Sequence, residues 1–213
     1  MDARGVTIPA GSVALDGDLA VPEGASGLIL FAHGSGSSRH SSRNVRVAAD
    51  LRASGRFGTL LFDLLSVRED EYYETRFDIG LLAERLEAAT AWVRAAAVPA
   101  SVRELRIGYF GASTGAAAAL VAASRRNDVA AVVSRGGRPD LAGESLAGVR
   151  APTLLIVGGD DTQVIGLNRL AMGRMRGVAE IAIVPGATHL FEEPGTLEEV
   201  SRLALGWFER YLA

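Results

Sequence analysis

A chain of 213 residues with 48% hydrophobic side chains carries enough apolar material for one core and too little length for two ordinary domains, so a single domain spanning 1–213 is expected. A formal net charge of -3 provides no basic field for nucleic acid or an anionic membrane surface, and the absence of cysteine excludes disulfides, thiol nucleophiles and cysteine-ligated metals. All 22 basic residues are arginine, which excludes a lysine Schiff base.

The first 22 residues mix Asp2, Arg4, Asp16 and Asp18 with short apolar pieces, not the basic-then-apolar order of a secretory leader, and cytoplasmic residence is the expectation. Residues 12–21 read as an antiparallel edge hairpin turning at Asp16-Gly17. Apolar runs at 27–32, 59–64, 105–110, 129–134, 153–157 and 180–184 read as strands. Stretches at 43–54, 78–97, 114–125, 164–175 and 196–212 have helical spacing, and Thr196 with Glu199 predicts a capping box on the last of them. This alternation predicts an α/β fold, a mostly parallel sheet with helices on both faces. The Ala-rich stretch 116–123 falls far short of the roughly 20 residues that span a membrane. Residues 135–150 and 66–76 read as loops, which leaves no lid domain and a site that is open or covered only by loops.

Gly111-Ala112-Ser113-Thr114-Gly115 lies between a predicted strand and a predicted helix, the context in which a G-x-S-x-G pattern becomes a nucleophile elbow. Glycine on either side lets strand and helix backbones pass closely while the central hydroxyl is left exposed, so Ser113 is the candidate nucleophile. The turn His33-Gly34-Ser35-Gly36 follows an earlier strand and can aim a backbone N–H at a carbonyl above that serine. Ser35 is the first choice for this amide; Gly34 is the second, and a candidate substrate contact. The amide of Thr114, at a helix N-terminus, supplies the other oxyanion donor. His33 is read as a buried turn-shaping residue. A phosphate-binding glycine loop at 34–38 would need a Gly-Lys-Ser/Thr ending that does not follow.

With three histidines in the chain, His189 is the candidate base, because it follows the last strand and its imidazole can exchange a proton near neutrality. The acid that orients it is sought after the preceding strand, in Gly158-Gly159-Asp160-Asp161. Asp161 is the choice, Asp160 the alternative and Asp140 a distant third; Asp63 reads as a loop-pinning residue. Arg135 and Arg138, past the strand at 129–134, are candidates to bind a substrate carboxylate, together with Arg39 or Arg76.

In Phe31 to Gly36, Gly111 to Gly115, Gly158 to Asp161, and His189 with the following Leu190 to Gly195, the sequence resembles the α/β-hydrolase superfamily, and within it the compact, lidless dienelactone hydrolase-like branch. It departs from dienelactone hydrolases proper in carrying serine where their nucleophile is cysteine. The resemblance implies an acyl-enzyme mechanism through Ser113, Asp161 and His189 on small esters or lactones, with no metal and no organic cofactor. Thioester cleavage, acyl transfer and peptide hydrolysis use the same machinery, and a non-catalytic ligand-binding role on this scaffold is a third class. The expected partner is a small-molecule substrate rather than nucleic acid or membrane, with the chain a monomer or homodimer.

Overall fold

A computed structural model describes residues 3–212, so Asp2, one of the charges at the start of the chain, lies outside it. The chain begins with an antiparallel pair, β1 (Arg4–Ala10) and β2 (Val13–Ala20). The turn between them falls at Gly11-Ser12, with Gly11 at φ +66°, and not at Asp16-Gly17 as the sequence predicts. Asp16 and Gly17 sit inside β2, paired with Thr7 and Val6. Gly17 is there for close approach: a Cβ would stand 3.1 Å from Phe62 Cβ and 3.2 Å from Val6 Cγ2.

The remaining strands are β3 (Gly27–Ala32), β4 (Phe57–Phe62), β5 (Arg106–Ala112), β6 (Val129–Arg135), β7 (Thr153–Gly158) and β8 (Ala179–Val184). They form one eight-stranded sheet in the order β1-β2-β4-β3-β5-β6-β7-β8, parallel from β4 to β8. β3, β4 and β5 are apolar along nearly their whole length because both faces are covered.

The helices are α1 (Ser42–Ala53), α2 (Val67–Asp70), α3 (Ile79–Val93), α4 (Ala100–Arg103), α5 (Thr114–Arg125), α6 (Thr162–Met172) and α7 (Thr196–Leu212). α1 and α7 cover one face, where Val47, Leu51, Trp207 and Phe208 pack on Ile29, Phe110 and Ile156. α3, α5 and α6 cover the other, where the alanine side of α5 lets that helix lie close on the sheet.

Two local predictions change. The expected capping box at Thr196 does not form: the Thr196 hydroxyl donates to Glu193 O, the Glu199 amide donates to Gly195 O, and the Glu199 carboxylate pairs with Arg202. A capping box forms instead at Ser66 and Glu69, so the segment read as a loop contains α2 and a 3-10 turn at Glu74–Phe77. Residues 139–148, also read as loop, are 3-10 turns broken at Gly143 and anchored by buried Ala142 and Leu146. Among the described residues no helix is long and apolar enough to cross a membrane.

From β3 the chain steps outward to β4, then returns to the other side of β3 as β5. The crevice at such a reversal, at the C-terminal strand ends, is where open parallel sheets carry their sites. His33-Gly34 leaves β3 there, and Ser113 leaves β5.

Candidate active site

Ser113 occupies the single residue between β5 and α5, with φ 51° and ψ -120°. A non-glycine side chain in this region costs about 1–3 kcal/mol and persists only when its surroundings enforce it. The enforcement is visible. A Cβ at Gly111 would lie 2.4 Å from Ala116 Cα, and one at Gly115 only 2.3 Å from Ala32 O, so strand, helix and the start of the 33–36 turn are pressed together around the serine. The Ser113 amide donates to Arg135 O at 3.3 Å, and Ser113 O accepts from the Ala116 and Arg138 amides.

His189 Nδ1–H donates to Asp161 Oδ2 at 2.7 Å. This commits Nδ1 and leaves Nε2 as the free acceptor edge of a half-exposed ring. The histidine loop is fixed from several sides. A Cβ at Gly158 would clash with Ala187 O at 2.4 Å, the Asp160 amide donates to Ala187 O, and Glu193 accepts from both the amide and the hydroxyl of Thr188. Phe191, two residues past the imidazole, is buried at φ +57°. Gly136 joins the two halves: it follows Arg135, whose carbonyl holds Ser113, and a Cβ on it would stand 2.9 Å from His189 O and 3.7 Å from His189 Cε1.

Asp161, and not its neighbours, therefore holds the histidine. Asp160 is exposed, and Asp140 is spent on a two-point pair with Arg138 at 2.9 and 2.8 Å. Asp161→Asn, which leaves Nδ1–H without a charged acceptor, is expected to lower kcat/KM about 10⁴-fold. Asp160→Asn should stay within about threefold of wild type at the same tenfold-per-1.4 kcal/mol scale, and steady-state kinetics on the pair check the assignment.

His33 is structural, as read. It is buried, its Nδ1–H donates to Gly34 O, and its Nε2 accepts from the Leu64 amide at 3.0 Å. Burial holds its pKa below the ordinary 6.5 against the opposing contact with Gly34 O, and the two hydrogen bonds set the tautomer. Asp63 likewise pins a loop, accepting from the Arg39 amide at 2.8 Å and pairing with the Arg39 guanidinium. Gly34 abuts the serine: a Cβ there would lie 3.2 Å from Ser113 Cβ.

The Ser35 amide differs from expectation. Instead of standing unpaired, it donates to Thr114 Oγ1 at 2.8 Å. Sequence reading counts Thr114 for its amide alone; the β-hydroxyl of that buried residue also ties the 33–36 turn to the elbow. Asn168, fully buried in α6, is a second residue that sequence reading misses: its Nδ2 donates to Gly137 O and Val164 O and braces the loop after β6.

The profile of the dienelactone hydrolase family matches residues 67–209. The chain belongs to that family. Its fold is that of the α/β-hydrolases, and the solved dienelactone hydrolase of Anabaena variabilis is 51% identical, with TM-score 0.95 over 99% of this chain and 98% of that one. A lidless α/β serine hydrolase of Xanthomonas campestris, 20% identical, superposes with TM-score 0.76 over 100% of this chain and 96% of its own, a likeness of fold. Two curated Mycobacterium tuberculosis proteins, from strains CDC 1551 and H37Rv, are 57% identical over 208 residues and carry the provisional name phosphoribosyl transferase. The match covers 97% of this chain and 46% of theirs, so the chain spans about half the length of the curated relatives it matches. The chain therefore has the family membership and the fold of a hydrolase.

The arginines considered for substrate binding separate on inspection. Arg39 pairs with Asp18 and Asp63, Arg76 with Asp70, and Arg138 with Asp140. Arg135, only 6% exposed, has no carboxylate partner among the described residues. Burial, with Arg43 nearby, pushes its pKa down to about 10.

Proposed function

We propose that this chain is a serine hydrolase that cleaves small carboxylic esters or lactones, with Ser113 as nucleophile, His189 as general base and acid, and Asp161 as the group that orients the imidazole. One observation carries the reading. Ser and Asp are among the best helix N-caps, and losing such a cap costs about 0.5–2 kcal/mol. Ser41, Ser66 and Asp78 cap α1, α2 and α3 in the ordinary way. Ser113 and Asp161 stand at the same position on α5 and α6, yet neither side chain caps its helix. Asp161 is turned to His189, and the Ser113 hydroxyl is held away from its helix by a strained backbone. Both helices forgo a cap at the two positions where this chemistry needs a free oxygen.

In the proposed cycle, Ser113 Oγ bonds to the substrate carbonyl carbon as its proton passes to His189 Nε2, and the carbonyl π pair moves to oxygen. That oxyanion faces the Thr114 amide at the positive end of α5. The Ser35 amide joins it by exchanging the neutral Thr114 hydroxyl for a charged acceptor, the stronger partner. Collapse breaks the bond to the alcohol oxygen, which takes the proton from His189; water, deprotonated by the same nitrogen, then bonds to the acyl carbon, the bond to Ser113 Oγ breaks as Oγ regains that proton, and the acid leaves.

The test is labelling with a fluorophosphonate probe, followed by rates on matched esters, lactones, thioesters and amides. Covalent labelling on Ser113 with esters or lactones turned over fastest is expected. An unlabelled protein, or one whose label sits elsewhere, would refute the serine mechanism; thioesters or amides turned over fastest would move the substrate class.

A further inference from the structure

The guanidinium of Arg135 points away from α5, to the face covered by α1 and the histidine loop. Its Nη2 lies 3.4 Å from Oδ1 of Asn44, the third residue of α1, its Cζ stands 5.9 Å from the Phe191 ring centroid, and its Nε is buried without a partner. Arg43, the second residue of α1, brings another cation beside it, and Arg43 Nε is also buried and unpartnered. The first turn of α1 contains no acidic residue, so its N-terminal dipole adds to the same sign. Among the described residues the carboxylate paired with Arg43 is the exposed Glu192, 2.9 Å from Arg43 Nη1 and three residues past His189. Two guanidinium groups and a helix N-terminus against one solvated carboxylate leave more than one unit of positive charge without an answer. A carboxylate ligand brings one negative charge, whereas a phosphate monoester brings about 1.5–2 at neutral pH and tetrahedral oxygens for several donors.

We infer that Arg135, Arg43 and the N-terminus of α1 form an anion subsite for a phosphoryl group carried by the substrate, with the Glu192 side chain as its displaceable occupant. The subsite adjoins the reaction centre through the backbone: Arg135 O holds the Ser113 amide, and Phe191 beneath the cation belongs to the histidine loop. The catalytic half of this assignment rests on the hydrolase reading; the anion-binding half does not.

The experiment pairs 2-(butyryloxy)ethyl phosphate with its neutral dimethyl phosphotriester and with a hemisuccinate ester, at fixed low ionic strength. Wild type is expected to favour the phosphate over the triester by about 10- to 100-fold in kcat/KM, the size of one or two charge-assisted hydrogen bonds. That ratio should collapse toward one in Arg135→Met, fall about tenfold in Arg43→Gln and rise in Glu192→Gln. Damage that is merely structural would lower both rates and leave the ratio where it was, which would overturn the inference, as would equal wild-type rates. A hemisuccinate preference as large as the phosphate's would overturn the phosphoryl assignment. Arg43→Gln alters a half-buried side chain and Glu192→Gln an exposed one, and both keep the test alive if Arg135→Met does not fold. Calorimetric titration of inorganic phosphate separates the two readings. Phosphate binding weakened in Arg43→Gln, in a protein without Ser113 labelling, sinks the hydrolase and keeps the subsite; labelling without phosphate binding does the reverse.

Discussion

Ser113→Ala is expected to lower ester hydrolysis by about 10⁶-fold and to abolish fluorophosphonate labelling, with the melting temperature nearly unchanged. The two halves of the expectation have separate causes. Alanine removes only the hydroxyl, which makes no capping bond to α5, and it keeps the Cβ, so the backbone strain at φ 51° is neither relieved nor increased. Nothing that holds the elbow depends on the oxygen: the amide bond to Arg135 O and the packing of Gly111 and Gly115 remain. All that is lost is chemistry. His189→Ala should be similarly damaging, and the double variant no worse than either single one, because groups that act in one proton transfer fail together. Activity retained in Ser113→Ala, or a double variant far below both singles, would break the proposed unit apart.

The sequence reveals the parts of this molecule that rest on hydrophobic period and on motifs with a mechanical cause. β3 and α7 fall on their predicted residues, since a fully apolar six-residue run and a long amphipathic stretch leave few alternatives. Asp161 is favoured over Asp160 by its place in the turn, and its bond to His189 follows. What stays hidden depends on partners far away in the chain. Asp16-Gly17 carries the local signature of a hairpin turn, but its glycine answers to Phe62 across the sheet. Thr196 and Glu199 have capping-box spacing, but Glu193 and Arg202 compete for their side chains and win. The Thr114 hydroxyl and Asn168 have no sequence signal at all. Each becomes functional only when the fold brings a backbone group, Ser35 N or Gly137 O, within reach.

A large effect of the opposite kind is expected at Gly115. As the second residue of α5 it looks like a poor choice, because alanine is favoured over glycine inside a helix by about 1 kcal/mol. At Gly206, inside α7, an added Cβ would meet nothing within 4 Å, and that gain should appear as a stabilisation of roughly 0.5–1 kcal/mol in Gly206→Ala. At Gly115 the same methyl would lie 2.3 Å from Ala32 O and 2.4 Å from His33 O. Both are backbone atoms at the end of a central strand, so no side chain can swing aside. Either α5 lifts from the sheet or the His33-Gly34 peptide moves, and overpacking of this kind costs about 1–3 kcal/mol or more. Gly115→Ala is therefore expected to lose at least about 3 kcal/mol in urea unfolding, or to fail to fold, since steric conflict at a backbone contact outweighs helix propensity. Any folded fraction should label slowly, because the peptide that moves adjoins the Ser35 amide and sets the Gly34 contact with Ser113. If Gly115→Ala is instead stabilised like Gly206→Ala and labels at the wild-type rate, the close passage of α5 under the 33–36 turn is not what holds the serine in place.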